Sequence, residues 1–143
     1  MINIIAGGKK NTGWCLEAIT EYQKRLKKPY DITWHFLSEE KLANYLASWP
    51  FSGHDYVILL DERGQNISSP ELSQKLEQAF NASKEVVFII GGAYGVDQFT
   101  RDHADFIWSF SKLVFPHLLA RVMTVEQIYR AQEISRGGKY HHL

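Results

Sequence analysis

The sequence predicts an α/β fold with a mostly parallel sheet and helices on both faces. The segments expected to form strands are continuously apolar rather than alternating, which is typical of strands that are buried on both sides. Segments with helical spacing separate these apolar runs, as in chains that alternate strand and helix. The 143 residues are also enough to bury a hydrophobic core. We therefore expect one domain, residues 1–143, with about five strands.

The N-terminal part of the chain alternates strand and helix twice. Ile2–Ala6 is a short apolar strand, and a glycine-rich turn follows it. Trp14–Lys28 carries apolar residues at helical spacing and stops before a proline. Ile32–Leu37 is the second expected strand. Glu39–Trp49 is the second expected helix, because a serine, a favoured N-cap residue, precedes it directly.

The middle of the chain contains the two strongest strand signals. Tyr56–Leu60 is a continuous apolar run, and Val86–Ile90 is the run richest in β-branched residues. Between them, Ser69 at the cap and Pro70 in the first turn predict a helix that extends to about Phe80.

The last third of the chain predicts a short helix over Asp97–His103, a short strand over Phe106–Phe110 and a long helix over Leu118–Ser135. At about 100° per residue, the long helix has apolar residues on two opposite sides. One side consists of Leu118, Val122, Val125 and Tyr129, and the other of Met123, Ile134, Ala120 and Ala131. Such a helix has a second apolar side that the core of one small domain would not cover, so the pattern favours a two-fold homodimer. A fully internal helix of a monomer is the alternative.

Composition limits the classes of function. Basic and acidic residues both number 16, so the formal net charge is zero, whereas proteins that bind naked nucleic acid through phosphates are usually basic. A nucleic-acid partner must therefore meet a local patch and be recognised largely by shape. The single cysteine, Cys15, excludes an intramolecular disulfide and a Cys-rich zinc site. No apolar run approaches the roughly 20 residues of a membrane span and no signal pattern precedes the first strand, so we expect a cytoplasmic protein.

Three strand ends carry residues suited to ligand binding, because open parallel sheets bind ligands beyond the carboxyl ends of their strands. Leu60 opens a Leu-Asp-Glu-Arg-Gly segment, Gly91, Gly92 and Gly95 follow the fourth strand, and 110–116 follows the fifth. The glycine spacing fits neither the dinucleotide motif nor the P-loop, and a glycine-rich turn alone is more often only a tight turn. The segment 110–116 is either a plain connection or a place where a planar apolar group such as adenine is sandwiched.

Histidines and basic residues near the chain end and on the first helix have simpler interpretations. His117, His141 and His142 have no carboxylate or thiol cluster with metal-ligand spacing beside them, so we expect no metal. Lys24 and Arg25 belong to a basic run that is usually a solvated helix face, and an RNA-facing patch is the alternative.

Together the motifs closely resemble the ribosomal RNA large subunit methyltransferase H family, which consists of small SPOUT-class enzymes. Leu-Leu-Asp-Glu-Arg-Gly at 59–64, Ile-Gly-Gly-Ala-Tyr-Gly at 90–95 and Phe-Ser-Lys-Leu-Val-Phe-Pro-His at 110–117 occur in the family's order. Ala-Arg-Val-Met-Thr-Val-Glu-Gln-Ile-Tyr-Arg-Ala at 120–131 and Tyr-His at 140–141 complete the set. The resemblance covers essentially the whole chain. Two departures are a shorter region around 38–55 and a Gly-Lys pair before the Tyr-His pair, where many members have proline.

The resemblance implies a C-terminal trefoil knot, a homodimer, S-adenosylmethionine as methyl donor, and N3 of a pseudouridine in helix 69 of 23S ribosomal RNA as acceptor. We expect action on assembled ribosomes, because a neutral protein needs a preshaped RNA. The implied cofactor-binding residues lie in three loops: Leu60, Gly91, Gly92, Gly95, Phe110, Ser111, Lys112, Leu113, Val114 and Phe115. The residues expected on the substrate side, to orient the base or assist proton loss, are Tyr140, His141 and Arg130, with Glu126 as a weaker candidate base. The residues expected to contact RNA are His117, Arg121, Lys24 and Arg25.

Two alternatives remain open at this stage. The chain could be a related SPOUT enzyme that modifies another RNA uridine, or an idle RNA-binding or ribosome-assembly factor that kept the fold. Arg130 could also serve only as an ion-pair partner of Glu126 or Glu133, which lie within one helical turn of it.

Overall fold

In the computed structural model, which describes residues 1–142, five parallel strands form one sheet in the order β2-β1-β4-β3-β5. The strands are β1 (Ile2–Gly7), β2 (Ile32–Leu37), β3 (Asp55–Gln65), β4 (Glu85–Ile90) and β5 (Phe106–Trp108). The helices are α1 (Gly13–Gln23), α2 (Glu39–Ala47), α3 (Ser69–Asn81), α4 (Gln98–His103) and α5 (His117–Ser135). The α/β class and the five parallel strands are confirmed. The trefoil knot stays a prediction.

Helices cover both faces of the sheet, as the continuous apolar strands predicted. Along β4, Val86, Phe88 and Ile90 belong to the core beneath α1, α3 and α5. Val87 and Ile89 belong to a second core on the opposite face, with Leu42 and Leu46 of α2. Since alternate residues of one strand fill two cores, the strand must be apolar throughout. No helix among residues 1–142 is long and apolar enough to cross a membrane.

The two N-terminal helices end earlier than the sequence predicted. α1 stops at Gln23 rather than Lys28, because the next residues form tight turns in which the amides of Arg25 and Leu26 bond to carbonyls three residues back. α2 stops at Ala47 because Trp49 has a φ of 41°, which no helix accommodates.

The predicted start of α3 was off by one residue. Ser68 is the N-cap: its hydroxyl accepts a hydrogen bond from the Glu71 amide, and the Glu71 carboxylate accepts one from the Ser68 amide. The Ser69 hydroxyl instead donates to Gln127 of α5 at 2.6 Å. The third and fifth strands differ too, since β3 continues to Gln65 and β5 already ends at Trp108.

Helix α5 packs between α1 and α3 over the sheet, and this placement changes the interpretation of its two apolar sides. Val125 and Tyr129 of one side and Ala120 and Ala131 of the other are all buried within the single chain. The internal-helix alternative therefore explains much of the pattern, which no longer requires a dimer. The homodimer stays a prediction. The apolar pattern also missed three polar residues that α5 buries: Arg121, Thr124 and Gln132.

Candidate functional site

A cavity of about 530 Å³, which we call the main cavity, opens at the carboxyl-terminal edge of the sheet, where β3, β4 and β5 leave their paired region. Its volume lies within the range of small-molecule sites. Three consecutive stretches of chain supply most of its wall: residues 60–63, 90–96 and 108–117, the last without Lys112. Because parallel strands end at the same edge of the sheet, segments far apart in sequence meet there.

The glycine loop, residues 91–95, can take its shape only with small residues at key positions. A Cβ atom on Gly91 would lie 3.1 Å from the Cα of Gly95, closer than ordinary van der Waals contact. Gly95 has a φ of 73°, in the left-handed region that favours glycine. Its amide donates to the Gly92 carbonyl at 3.1 Å and closes the turn. The loop therefore presents bare backbone to the cavity at its glycines, and Tyr94 is its one large side chain there.

The segment after β5 forms the apolar wall of the cavity. The Ser109 hydroxyl donates to the Ser111 carbonyl at 2.7 Å and turns the chain out of the sheet, which is why β5 is shorter than predicted. Phe110 packs edge-on against Trp108, with 4.8 Å between the ring centroids. Leu113 and Val114 remain 69% and 78% exposed. Such apolar side chains, displayed beside a cavity, suit an apolar part of a ligand or a partner surface.

The structure brings together almost all of the residues that the resemblance assigned to the cofactor. Those that line the cavity are Leu60, Gly91, Gly92, Gly95, Phe110, Ser111, Leu113, Val114 and Phe115. Lys112 does not line the cavity and is exposed. Their role in binding a cofactor stays a prediction.

An ion pair in the cavity wall was not predicted from the sequence. The Asp61 carboxylate, whose side chain is only 6% exposed, contacts the Arg101 guanidinium of α4. Arg63 is a weaker second partner at 3.5 Å, with a mostly exposed side chain. The Asp61–Arg101 pair joins α4 to the second half of β3. Forty residues separate the two in the chain, so only the fold reveals their contact.

The predicted substrate-side residues form one hydrogen-bonded cluster, which we call the tail cluster: Glu126, Arg130, Tyr140 and His141. One Glu126 oxygen accepts from the Arg130 Nε at 3.0 Å, from an Arg130 Nη at 2.6 Å and from the Tyr140 hydroxyl at 3.0 Å. The other Arg130 Nη donates to the His141 Nδ1 at 3.0 Å. The Tyr140 ring packs on Tyr129, with centroids 4.7 Å apart. The ion-pair alternative for Arg130 is thus real, but it is part of a larger network.

The contacts in the cluster shift the pKa values of Arg130 and Tyr140 and decide which ring nitrogen of His141 accepts. The hydrogen bonds to Glu126 raise the pKa of Arg130, so its charge is permanent. Burial, and then the neighbouring Tyr22 and Glu126, raise the pKa of Tyr140 well above its ordinary value, so it keeps its proton at neutral pH. Because a guanidinium can only donate, the His141 Nδ1 must be the acceptor and the neutral ring carries its hydrogen on Nε2. Within residues 1–142 that buried Nε2 has no hydrogen-bond partner.

Within one chain the tail cluster does not line the main cavity. A second cavity of about 360 Å³ lies between them. This second cavity shares Trp108, Ser109 and Phe110 with the main cavity. Glu126 of the tail cluster also lines it. The structure therefore separates the two halves of the expected site within a single chain.

The residues expected to contact RNA have different placements. His117, the first residue of α5, lines the main cavity. Lys24 and Arg25 are exposed, lie at the far end of α1 from that cavity, and pair with Glu21 at 2.9 and 3.3 Å. The expectation for Arg121 is wrong: its side chain is fully buried and its guanidinium bonds to the chain's own backbone, so no RNA phosphate can reach it.

Comparisons with known proteins agree with this architecture. The family described as "Predicted SPOUT methyltransferase" matches residues 1–141. The "Ribosomal RNA large subunit methyltransferase H" of Caldicellulosiruptor bescii is 38% identical over 154 aligned positions, covering 99% of each chain. The protein of the same name from Desulfitobacterium hafniense is 36% identical, covering 98% of each.

A likeness to a solved structure concerns the fold alone. The crystal structure of the SpoU methyltransferase AviRb from Streptomyces viridochromogenes matches with a TM-score of 0.50 at 11% identity. The match covers 96% of this chain but only 61% of the AviRb chain.

Proposed function

The chain belongs to the ribosomal RNA large subunit methyltransferase H family of SPOUT methyltransferases, and we propose that it methylates N3 of a pseudouridine in helix 69 of 23S ribosomal RNA, using S-adenosylmethionine. The observation that carries the proposal is the main cavity. It is assembled from the three segments of chain that the family resemblance assigned to the cofactor, at the edge of the sheet where ligands bind.

The residues of the main cavity fit S-adenosylmethionine, which supplies an activated methyl group when bound. A volume of about 530 Å³ accommodates a ligand of this size. Gly91, Gly92 and Gly95 would let the ligand approach the backbone closely on the cavity side, since they carry no side chains of their own. Phe110 and Phe115 would bound an adenine ring, because aromatic side chains pack well against planar groups.

The tail cluster supplies the groups that the acceptor base requires. Methylation at N3 needs the imide proton to leave, and negative charge then develops on the carbonyl oxygens beside N3. Donors aimed at those oxygens stabilise that charge. The His141 Nε2–H is buried and has no partner within residues 1–142, and we assign it this donation when the tail folds over the bound base. Tyr140 keeps its proton and is held by Glu126, so we assign it to orienting the base rather than to removing the proton.

A homodimer would resolve the separation between the tail cluster and the main cavity. We propose that two chains pair so that the tail cluster of one subunit faces the cavity of the other. Several large apolar side chains remain exposed near the start of α1 and α5 and on the cavity wall: Trp14, Leu119, Leu113 and Val114. The starts of the two helices adjoin, since the Cys15 thiol contacts the Leu118 carbonyl. A partner would bury this surface.

The test is a methylation assay on ribosomes that lack the modification, followed by mass mapping of the methylated nucleoside. We expect one methyl group on N3 of the helix 69 pseudouridine, and a large loss of rate in Tyr140→Phe/His141→Ala protein with an unchanged affinity for S-adenosylmethionine. Methylation of protein-free 23S RNA at the same rate would contradict the requirement for a preshaped substrate.

The same experiment separates the alternatives. A methyl group on a different uridine would identify a related SPOUT enzyme with another target. Absence of S-adenosylmethionine binding in calorimetry would identify an idle RNA-binding or assembly factor. A monomer in sedimentation at micromolar concentration would contradict the proposed dimer.

A further inference from the structure

A buried arginine holds the β1–α1 loop, residues 8–12, in place. Arg121 of α5 is fully buried, and one Nη donates to the Lys9 carbonyl at 2.8 Å and to the Asn11 side chain at 3.1 Å. The other Nη donates to the Gly7 carbonyl at 2.9 Å. A charge so completely removed from water is tolerated only with such partners. Arg121 is therefore committed to shaping this loop.

The β1–α1 loop lies against the main cavity. β1 is the neighbour of β4, and a Cβ atom on Gly7 would lie 2.8 Å from the backbone nitrogen of Gly92 in the glycine loop. A Cβ atom on Gly8 would lie 3.9 Å from the His117 Nε2, and His117 lines the cavity. The loop therefore adjoins the rim of the cavity, next to His117.

The loop displays two adjacent lysines. Lys9 and Lys10 are both exposed, and neither forms an ion pair with any residue in the described part of the chain. With Arg121 beneath them, three positive charges gather at one rim of a protein whose formal net charge is zero. An acidic side chain at this edge, Glu39 of α2, lies against Gly92.

The ends of two helices strengthen the positive character of this rim. α1 and α5 both begin here, and neither has a side-chain cap or an acidic residue in its first turn. Their free amides and the helix dipoles favour a negative charge nearby. A protein with zero net charge needs a local basic patch to bind RNA, and this rim provides one.

We propose that Lys9 and Lys10 bind the phosphodiester backbone of the RNA substrate beside the main cavity, with Arg121 as the positioning residue of the β1–α1 loop. This inference rests on the proposed function, since it names the contact by which the same site holds its RNA. It assigns the RNA contact to residues other than those expected from the sequence.

The test compares two double variants with the same change of charge. Lys9→Ala/Lys10→Ala removes the rim lysines, and Lys27→Ala/Lys28→Ala removes two exposed lysines beyond the far end of α1. Binding to ribosomes that lack the modification is measured over a range of salt concentrations. Each lost phosphate contact should reduce the slope of log affinity against log salt by about 0.7 to 0.9.

We expect the rim variant to lower the slope by the amount that corresponds to one or two lost phosphate contacts, and to weaken ribosome binding at least tenfold. Its affinity for S-adenosylmethionine and its thermal midpoint should stay those of the wild type. The Lys27/Lys28 variant should match the wild type. If the rim variant binds as the wild type does while the wild type methylates ribosomes, the inference is wrong and the proposed function stands. If the wild type neither binds nor methylates ribosomes, both are wrong.

Arg121→Lys tests the positioning role. It keeps the charge but loses the forked grip on the loop. In the wild-type background it should weaken ribosome binding, and in the Lys9→Ala/Lys10→Ala background it should change binding by less than twofold, because the residues it positions are gone. A full additive loss in that background would show that Arg121 acts through another part of the fold.

Discussion

Replacement of Gly91 by alanine tests whether the glycine loop holds the cofactor. The new methyl group would lie 3.1 Å from the Cα and C atoms of Gly95 and 3.2 Å from its carbonyl oxygen. These contacts are with backbone, so the clash cannot be relieved by rotating a side chain. The loop must move by a few tenths of an ångström, against the Gly95-to-Gly92 hydrogen bond that closes it.

Overpacking of this kind costs about 1–3 kcal/mol. If the cofactor requires the loop in its present shape, that free energy is lost from binding, and because about 1.4 kcal/mol corresponds to a tenfold change, the dissociation constant should rise roughly 5- to 150-fold. Isothermal titration calorimetry with S-adenosylmethionine measures this directly.

Gly53→Ala is the matched control, because a Cβ atom at Gly53 meets nothing within 4 Å and its φ is not in the left-handed region. It should bind S-adenosylmethionine as the wild type does. An affinity for Gly91→Ala within twofold of the wild type would refute the placement of the cofactor. Equal weakening in Gly53→Ala would show that the effect is not local to the cavity.

Two further predictions concern stability. Ser68→Ala removes one half of the capping box with Glu71 and should lower the free energy of unfolding by about 0.5–2 kcal/mol in urea titrations, and a loss no larger than that of the exposed Gln74→Ala would contradict the assignment of the cap. Tyr140 has a raised pKa in the folded state, so its contribution is present below its unfolded pKa of about 10 and is lost as the pH rises towards the folded value. Between pH 8 and pH 11, Tyr140→Phe should therefore lose less stability than the wild type, and equal losses would show that Tyr140 ionises normally.

The sequence was sufficient for the sheet and for most of the main cavity. The runs around Ile58 and Phe88 are apolar throughout because each strand contributes to a core on both faces of the sheet. Such a local pattern can be recognised from the sequence. The parallel order then places everything that follows β3, β4 and β5 at one edge. Gly91, Gly95 and Phe110 could be assigned to one site for that reason, with the family resemblance to name the ligand.

What the sequence could not predict depends on contacts between distant residues. Arg121 was expected to contact RNA. It is buried instead, because its guanidinium binds the backbone carbonyls of Gly7 and Lys9, which lie more than a hundred residues earlier in the chain. The Asp61–Arg101 pair is hidden for the same reason. The end of α1 was misjudged because the residues after Gln23 have good helix propensity, and tertiary packing overrode it.

The central claim is that this chain transfers a methyl group from S-adenosylmethionine to N3 of a pseudouridine in helix 69. Ribosomes that lack the modification, incubated with the purified protein and S-adenosylmethionine labelled in its methyl group, test it most directly when the nucleosides are mapped by mass spectrometry. We expect one labelled methyl group per ribosome, on that pseudouridine. Label on another nucleotide, or no label on ribosomes from a protein that binds S-adenosylmethionine, would contradict it.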